Sequence, residues 1–481
     1  MKQLKWLMIA IFVSLFVIIG NSDLFANAAS KEPKHYTDLE FSPPPEIRLP
    51  DYTTTELDNG LTLYLIEDHD FPLVTGTAIF RTGSRLEPAD KVGLASLTGS
   101  LMRQGGTDNY SPNELNQILE QRAASIETSI STTSGSAEFD CLTQDLDQVF
   151  DLFAEVIKTP AFDEQQFALA KQQAEGRISR RDDDPGNVAD REFKKLVYGE
   201  DSPYARTEEY ETLDNISRED VIAFYESYFR PEEMILGIVG DFDSEEMRDR
   251  AQEAFGNWEV TTPPPNYELS DVEQATTGGV HLVEKPQLTQ SYVEMGHLGG
   301  TLDNPDYPAL RVLNGALNGF GGTLYNEVRS RQGLAYSVYG VWRANYDYPG
   351  YFVAGGQTSS ETTVPFIESI QNEITKVQDD LLSEDQLAYA KESILNSFIF
   401  NFESNEQTLS RLMRYNYYDY PDDFIFQLQE GIRETTKEDV QRVAQTYLKP
   451  EEMTTLIVGN PDGIDPSLEE LGKPVTQKSI N

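Results

Sequence analysis

The sequence is poor in the residues from which most metal, redox and acid–base sites are built. It contains one cysteine, Cys141, which excludes intramolecular disulfides, cysteine-rich zinc modules and iron–sulfur clusters. It has only four histidines: His35, His69, His281 and His297. Lys and Arg number 38 against 81 Asp and Glu, a formal net charge of −43. So few cations exclude a nucleic-acid partner, because the phosphate backbone is bound through Lys and Arg. No Gly-x-x-x-x-Gly-Lys-Ser/Thr and no Gly-x-Ser-x-Gly occurs. This leaves no phosphate-cradling loop and no serine-hydrolase elbow, and Cys141 has no evident activating histidine.

What is present is enough apolar content for large cores. Of 481 residues, 39% are hydrophobic and 11% aromatic, so the chain is not a disordered acidic polymer, and its length suggests several domains. The acidity fits an ordinary solvated surface, a salt-adapted one, or attraction of basic peptides.

Lys2 and Lys5 precede an apolar run from Trp6 to Ile19, followed by Asn21-Ser-Asp23 and the small-residue site Ala26-Asn-Ala28. This is the layout of a secretory signal peptide cleaved after Ala28. An uncleaved anchor is the alternative, although the run is short for a spanning helix. Residues 1–28 are read as the signal peptide and 29–47 as an extended segment. The mature chain is expected to be exported and soluble, periplasmic or extracellular, with no membrane span.

The chain repeats itself. Asp220, Tyr228, Pro231, Met234 and Gly240 recur as Asp439, Tyr447, Pro450, Met453 and Gly459, each 219 residues on. Ala168-Leu-Ala-Lys171 recurs as Ala388-Tyr-Ala-Lys391, and Gly105-Gly-Thr107 as Gly321-Gly-Thr323. Two copies of one unit follow. Thr261-Thr-Pro-Pro-Pro and Thr276-Thr-Gly-Gly mark an extended linker between Trp258 and Gly279. The division is 48–258, a linker over 259–279, 280–465, and a C-terminal tail over 466–481.

Each copy mixes strands and helices. Tyr52–Leu57 and Leu61–Ile66 read as a hairpin around Asn59-Gly60, and Thr75–Thr82 as a strand. Ser111-Pro-Asn-Glu114 is a capping box opening a helix to about Arg122. Leu142–Lys158 is amphipathic, Asp163–Arg181 is a long helix, and Val221–Phe229 is a helix before the strand Met234–Val239. Hairpins and helical blocks without strict βαβ alternation predict an α+β fold with largely antiparallel sheets.

These segments resemble the pitrilysin/insulinase family of zinc metallopeptidases and their mitochondrial processing relatives. The resemblance rests on Leu57-Asp-Asn-Gly-Leu-Thr62, Gly93-Leu-Ala95 leading to Gly105-Gly-Thr107, Asp183-Asp-Pro185, Gly333-Leu-Ala-Tyr336 and the two Pro-Glu-Glu-Met…Val-Gly segments. It spans about residues 45–460. It implies two homologous α+β domains in tandem, each an antiparallel sheet backed by helices, together forming one half of a clamshell around a peptide chamber.

Family peptidases carry His-x-x-Glu-His on a helix. Two histidines four apart share one helical face and hold zinc, and the glutamate activates the metal-bound water. Aligned on Gly93-Leu-Ala95, the histidine positions hold Ser96 and Ser100, the base position holds Gly99, and the third-ligand glutamate falls at about Arg177. All four positions are degenerate, so no metal is expected in this chain. His281-Leu-Val-Glu284 reads as a strand, where residues four apart cannot form a helical pair, and His297 follows the strand Tyr292–Met295 without a partner at ligand spacing.

The second copy keeps a different family feature. Asn326-Glu-Val-Arg329-Ser-Arg331-Gln-Gly-Leu-Ala-Tyr336 resembles the segment whose Arg and Tyr, seven apart, face the zinc across the chamber. The resemblance assigns Arg329 and Tyr336, on a helix Thr323–Arg331 and a strand from Leu334. Both are donors suited to a peptide carbonyl or oxyanion. By residue chemistry alone they read as a surface helix charge and a half-buried strand tyrosine, a reading that the family register reverses, and Arg331 competes if the register slips by two. The Gly319-Phe-Gly-Gly322 loop could offer backbone amides beside the chamber or simply make a turn.

The resemblance therefore implies a zinc-free subunit of a heterodimeric metallopeptidase. A zinc-bearing partner of the same family would supply the metal, and peptide substrates would bind between the two. A non-catalytic peptide-binding or scaffold protein of the same fold is the alternative, and a peptidase with an unrecognised site is the third reading.

Overall fold

The structure, a computed structural model, describes residues 47 and 49–480 apart from 261, 264, 266, 268 and 270. The signal peptide and nearly all of the 29–47 segment lie outside the described residues. From Arg48 onward the chain forms one compact unit.

The first copy opens with β1 (Thr53–Glu56) and β2 (Thr62–Glu67), paired antiparallel around Asn59-Gly60, where Gly60 takes the left-handed φ of +88° that the turn needs. β3 (Leu73–Phe80) follows, then α1 (Leu94–Gln104) and α2 (Pro112–Arg122). The Ser111/Glu114 capping box forms as expected, with Pro112 at the first helical position. β4 (Ser125–Ile130) and β5 (Gly135–Leu142) make a hairpin. Then come α3 (Leu146–Lys158), α4 (Glu164–Ile178), α5 (Pro185–Tyr198), α6 (Tyr210–Asp214) and α7 (Arg218–Tyr228). The copy closes with β6 (Met234–Gly240), buried throughout, and α8 (Ser244–Phe255).

The second copy repeats the plan. β7 (Val280–Glu284), β8 (Gln290–Leu298) and α9 (Tyr307–Leu317) lead to a π-helix, Tyr325–Arg331. The hairpin β9 (Ala335–Arg343) and β10 (Tyr351–Ser359) follows. Helices α10 (Thr363–Asp379), α11 (Glu384–Ser397), α12 (Asn405–Tyr417), α13 (Phe424–Glu434) and α14 (Lys437–Tyr447) precede β11 (Thr454–Gly459) and β12 (Val475–Gln477).

The sheet orders are β1-β2-β6-β3-β5-β4 and β12-β7-β11-β8-β10-β9. Most pairs are antiparallel, but β2–β6, β7–β11 and β7–β12 are parallel. The returning strand of each copy arrives after a long helical excursion, which permits the crossover that parallel pairing needs. Two readings of the sequence are corrected here. Residues 475–477 of the supposed tail are a strand of the second sheet. The last part of the linker is tied down, with Ala275 N–H on Val197 O at 2.9 Å and Gly278 N–H on Glu452 O at 3.1 Å.

Each copy has its own core, but the copies also exchange a helix. On α5 of the first copy, Val188, Phe193 and Val197 pack with Val283, Val353, Leu456 and Val458 of the second sheet. On α12 of the second copy, Leu409, Met413 and Tyr417 pack with Tyr64, Ile66, Ile79 and Val239 of the first. Gly237 makes room for this, since a Cβ there would lie 2.3 Å from Met413 Sδ. Each half thus covers the outer sheet face of the other. Among the described residues, no helix is long and apolar enough to cross a membrane.

Candidate functional site

Helix α1 carries the degenerate zinc-motif positions. It starts at Gly93, which has φ +107°, and its first turn is capped by Glu87, whose carboxylate accepts the Ala95 N–H at 2.8 Å. Burial pushes the Glu87 carboxyl up to about 7, against the pull of the Ala95 and Gly93 amides and of Arg206. Ser100 Oγ donates back to Ser96 O and Leu97 O, both at 3.1 Å, so this hydroxyl serves its own helix. Gly99 is pressed against the edge strand β4. A Cβ there would lie 2.5 Å from Ile130 N and 2.8 Å from Ser129 C, and Thr128 Oγ1 donates to Gly99 O at 2.6 Å. A carboxylate side chain at this position has no space.

Arg177 lies on α4, which packs against α1; its side chain is exposed and pairs with Glu208 at 3.6 Å. Zinc needs imidazole, thiolate or carboxylate ligands. Two hydroxyls, a glycine closed off by backbone and an arginine do not fit it, and an arginine opposes any cation nearby. Among the described residues, no group of three or more His, Cys, Asp or Glu side chains is placed to hold a metal ion.

His281, His297 and the cysteine serve the fold. His281 lies in β7 as expected, opposite Leu456 and Thr476. His297 does not follow a strand but lies within β8, buried beside Trp342 and Phe352. Its Nδ1 lies 2.8 Å from Leu298 O, and its Nε2 accepts the Lys449 N–H at 3.2 Å. Burial lowers the pKa of both rings. Cys141 is buried in the first core, which pushes its thiol up to about 12, so it is no nucleophile at neutral pH.

The second-copy pair comes together. The segment expected as a helix from Thr323 is a π-helix from Tyr325 to Arg331, a rare wide form found frequently at functional sites. The Arg329 guanidinium lies 4.9 Å from the Tyr325 ring centroid and 6.0 Å from that of Tyr336. Tyr336 is 73% exposed. In the β9–β10 register, Ala335 faces Thr358 and Ser337 faces Gln357, so Tyr336 is the extra residue of a β-bulge. Bulges on sheet edges re-aim a side chain, and here the phenol turns outward. Arg331 is instead held by Glu327 at 2.8 Å, which leaves Arg329 as the arginine beside Tyr336.

Two further side chains belong to this surface, and the reading of the sequence missed both. Tyr325 supplies the ring face beneath Arg329, and its spacing of four residues on a helix was the available signal. Phe320, 79% exposed in the glycine loop, sets its ring edge-on to Tyr325 at 5.0 Å. The loop is fixed as a turn: Gly319 has φ +74°, and a Cβ on Gly321 would meet the Tyr389 ring at 2.6 Å.

A family model described as Insulinase (Peptidase family M16) matches residues 65–202, and one described as Peptidase M16 inactive domain matches residues 215–394. The chain is 23% identical over 401 residues to the non-peptidase homolog YmxG of Helicobacter pylori, covering 82% of this chain and 90% of that protein. It is also 23% identical over 431 residues to the zinc protease PqqE of the same organism, covering 85% and 93%. The crystal structure of a peptidase M16 inactive domain from Pseudomonas fluorescens superposes with a TM-score of 0.78 at 22% identity, over 87% of this chain and 100% of that one, a likeness of fold.

Proposed function

The chain belongs to the M16 (insulinase/pitrilysin) peptidase family as an inactive homologue, and from that premise we propose that it is the exported, zinc-free subunit of a heterodimeric metallopeptidase. A separate M16 subunit would carry the zinc. This chain would complete the peptide chamber and contribute Arg329 and Tyr336. The observation that carries the reading is the contrast between the two copies. The zinc positions are closed by backbone at Gly99, while Arg329 and Tyr336 are exposed together on one surface. A guanidinium braced on a phenol ring keeps N–H groups free for a carbonyl or a developing oxyanion. One organism also holds a non-peptidase homolog and a zinc protease that are both similar to this chain.

Mild affinity purification of the mature chain from its host tests the reading. Export, a stoichiometric partner bearing His-x-x-Glu-His and about one zinc per pair are expected. In that complex, Arg329→Ala and Tyr336→Phe should each lower turnover ~10²-fold if they stabilise the oxyanion. Unchanged kinetics in both variants would remove the assigned roles.

The name of the Helicobacter pylori non-peptidase homolog favours a second reading, a peptide-binding or scaffold protein without a catalytic partner. A lone, zinc-free chain that binds peptides without cleaving them is the outcome that selects it.

A further inference from the structure

β4 and β9 are the outermost strands on one side of their respective sheets, each paired with a single strand, β5 and β10. Their hairpin ends both meet the segment Ser84–Leu86. Ser84 N–H donates to Ser131 O at 2.8 Å and Arg85 N–H to Thr132 O at 3.2 Å, which ties the segment to the β4–β5 turn. The Arg85 side chain, 7% exposed, runs the other way and donates to Asp347 at 2.7 Å, at the tip of the β9–β10 hairpin.

The tip is braced on both sides of Asp347. Tyr348 stacks on Tyr204, with centroids 4.0 Å apart and planes at 13°. Tyr346 stacks on Tyr418, 4.5 Å apart and at 5°. The Tyr418 hydroxyl lies 2.7 Å from Thr133 Oγ1, so it returns to the β4–β5 turn. Tyr198 donates to Pro349 O at 2.9 Å and Tyr420 to Tyr346 O at 2.8 Å. These two tyrosines stand at or just beyond the C-terminal ends of the exchanged helices α5 and α12.

An ion pair between a shielded guanidinium and a carboxylate open to solvent adds little stability. What it adds is one defined geometry. We propose that Arg85 is a positioning residue that clamps the tips of the two edge hairpins together and so fixes β4 and β9 relative to each other. Its bearing on peptide handling rests on the function proposed above, because β9 carries Tyr336; the clamp itself does not.

Spin labels at Ser129→Cys on β4 and Ser337→Cys on β9, both exposed, report the spacing directly by electron double resonance. Cys141 is buried and its thiol is pushed up to about 12, so it stays unlabelled. The otherwise unaltered chain should give one narrow distance distribution. Asp347→Asn should broaden it at least twofold, and Asp347→Glu, which can re-form the pair, should narrow it again. Leu468→Ala, a cavity in the second core, serves as a destabilised control and should leave the width unchanged. If Asp347→Asn does not fold, Tyr348→Ala loosens the same tip without stranding a buried charge. An unchanged width in a folded tip variant, or equal broadening in the Leu468→Ala control, overturns the proposal. No peptide or partner enters the measurement, so its failure is separate from failure of the proposed function.

Discussion

Rebuilding the family zinc motif should fail, and Gly99 is the reason. Gly99→Ala isolates the effect. In an open helix this change gains about 1 kcal/mol of helix propensity. Here the new Cβ would sit 2.5 Å from Ile130 N and 2.8 Å from Ser129 C. Carbon contacts need roughly 3.5 Å, so α1 and β4 must part by about 1 Å. Both obstructing atoms are backbone, so no rotamer change relieves the clash. The separation strains the Thr128–Gly99 hydrogen bond, worth about 1 kcal/mol. It also disturbs a core shared by Leu97, Leu101 and Ile126, and overpacking of this kind costs about 1–3 kcal/mol. The net expectation is a destabilisation of about 1–3 kcal/mol for Gly99→Ala, and more for Gly99→Glu. The assay is the urea midpoint of the Ala variant, together with zinc content by elemental analysis of Ser96→His/Gly99→Glu/Ser100→His. A Gly99→Ala protein at least as stable as the parent would refute the packing argument. So would a triple variant that binds one zinc per chain with the parent's midpoint.

Three further outcomes follow from the same structure. Tyr325→Leu keeps the apolar bulk but removes the ring face under Arg329, a contact worth about 0.5–1 kcal/mol; peptide affinity should fall about two- to fivefold by fluorescence anisotropy, and no change would show the ring to be idle. Burial between α5 and the second sheet pushes the Glu294 carboxyl up to about 7, so the folded chain holds a proton that the unfolded chain releases near 4.5. The resulting stability is full below about pH 4.5 and is lost as pH rises through about 7, on the order of 3 kcal/mol; Glu294→Gln should flatten that part of the stability profile and raise the melting temperature at pH 8. Phe193→Ala, which empties the α5 contact with the second sheet, should cost about 3–5 kcal/mol and lower one shared calorimetric transition, whereas a second, separate peak would show that the exchanged helix does not couple the halves.

Much of the architecture was legible because it rests on local signals. Asn59-Gly60, the Ser111/Glu114 capping box and the apolar run Met234–Gly240 each state their structure within a few residues. The repeat was legible because its anchors keep their order and spacing. The helix exchange was not legible. The apolar faces of α5 and α12 say that something is buried, but not which sheet covers them. The parallel entry of β6 and β11, and the strand at Val475–Gln477, likewise depend on where distant segments return. At the site, the loss of the zinc ligands could be read from residue types alone. The steric closure at Gly99 could not, because glycine in a helix reads as a weak helix former until β4 is seen against it. The bulge at Tyr336 and the π-helix are departures from regular periods, and periodicity arguments cannot register them.

The repeat also gives a physical way to separate what serves the fold from what does not. In both copies a Gly-Gly-Thr turn is followed by a short helix and then an edge strand. In the first copy that slot holds a regular α-helix, Pro112–Arg122, with a capping box, leading into β4 without a bulge. This shows that the fold can be closed with ordinary geometry. In the second copy the same slot holds a seven-residue π-helix, then a left-handed Gly333 at φ +67° and a bulge at Tyr336. It also exposes Phe320 and Tyr336, the two most exposed large hydrophobic side chains among the described residues. Each feature is unfavourable for folding: π-helical turns are rarely stable, bulges interrupt a ladder, and exposed rings lose the benefit of burial. A fold that manages without them in one copy does not need them in the other. Departures from local rules that lack a structural return concentrate where a protein meets its ligands. The surface around Arg329 and Tyr336, not the closed helix face at Gly99, is therefore where this chain's remaining chemistry should be sought.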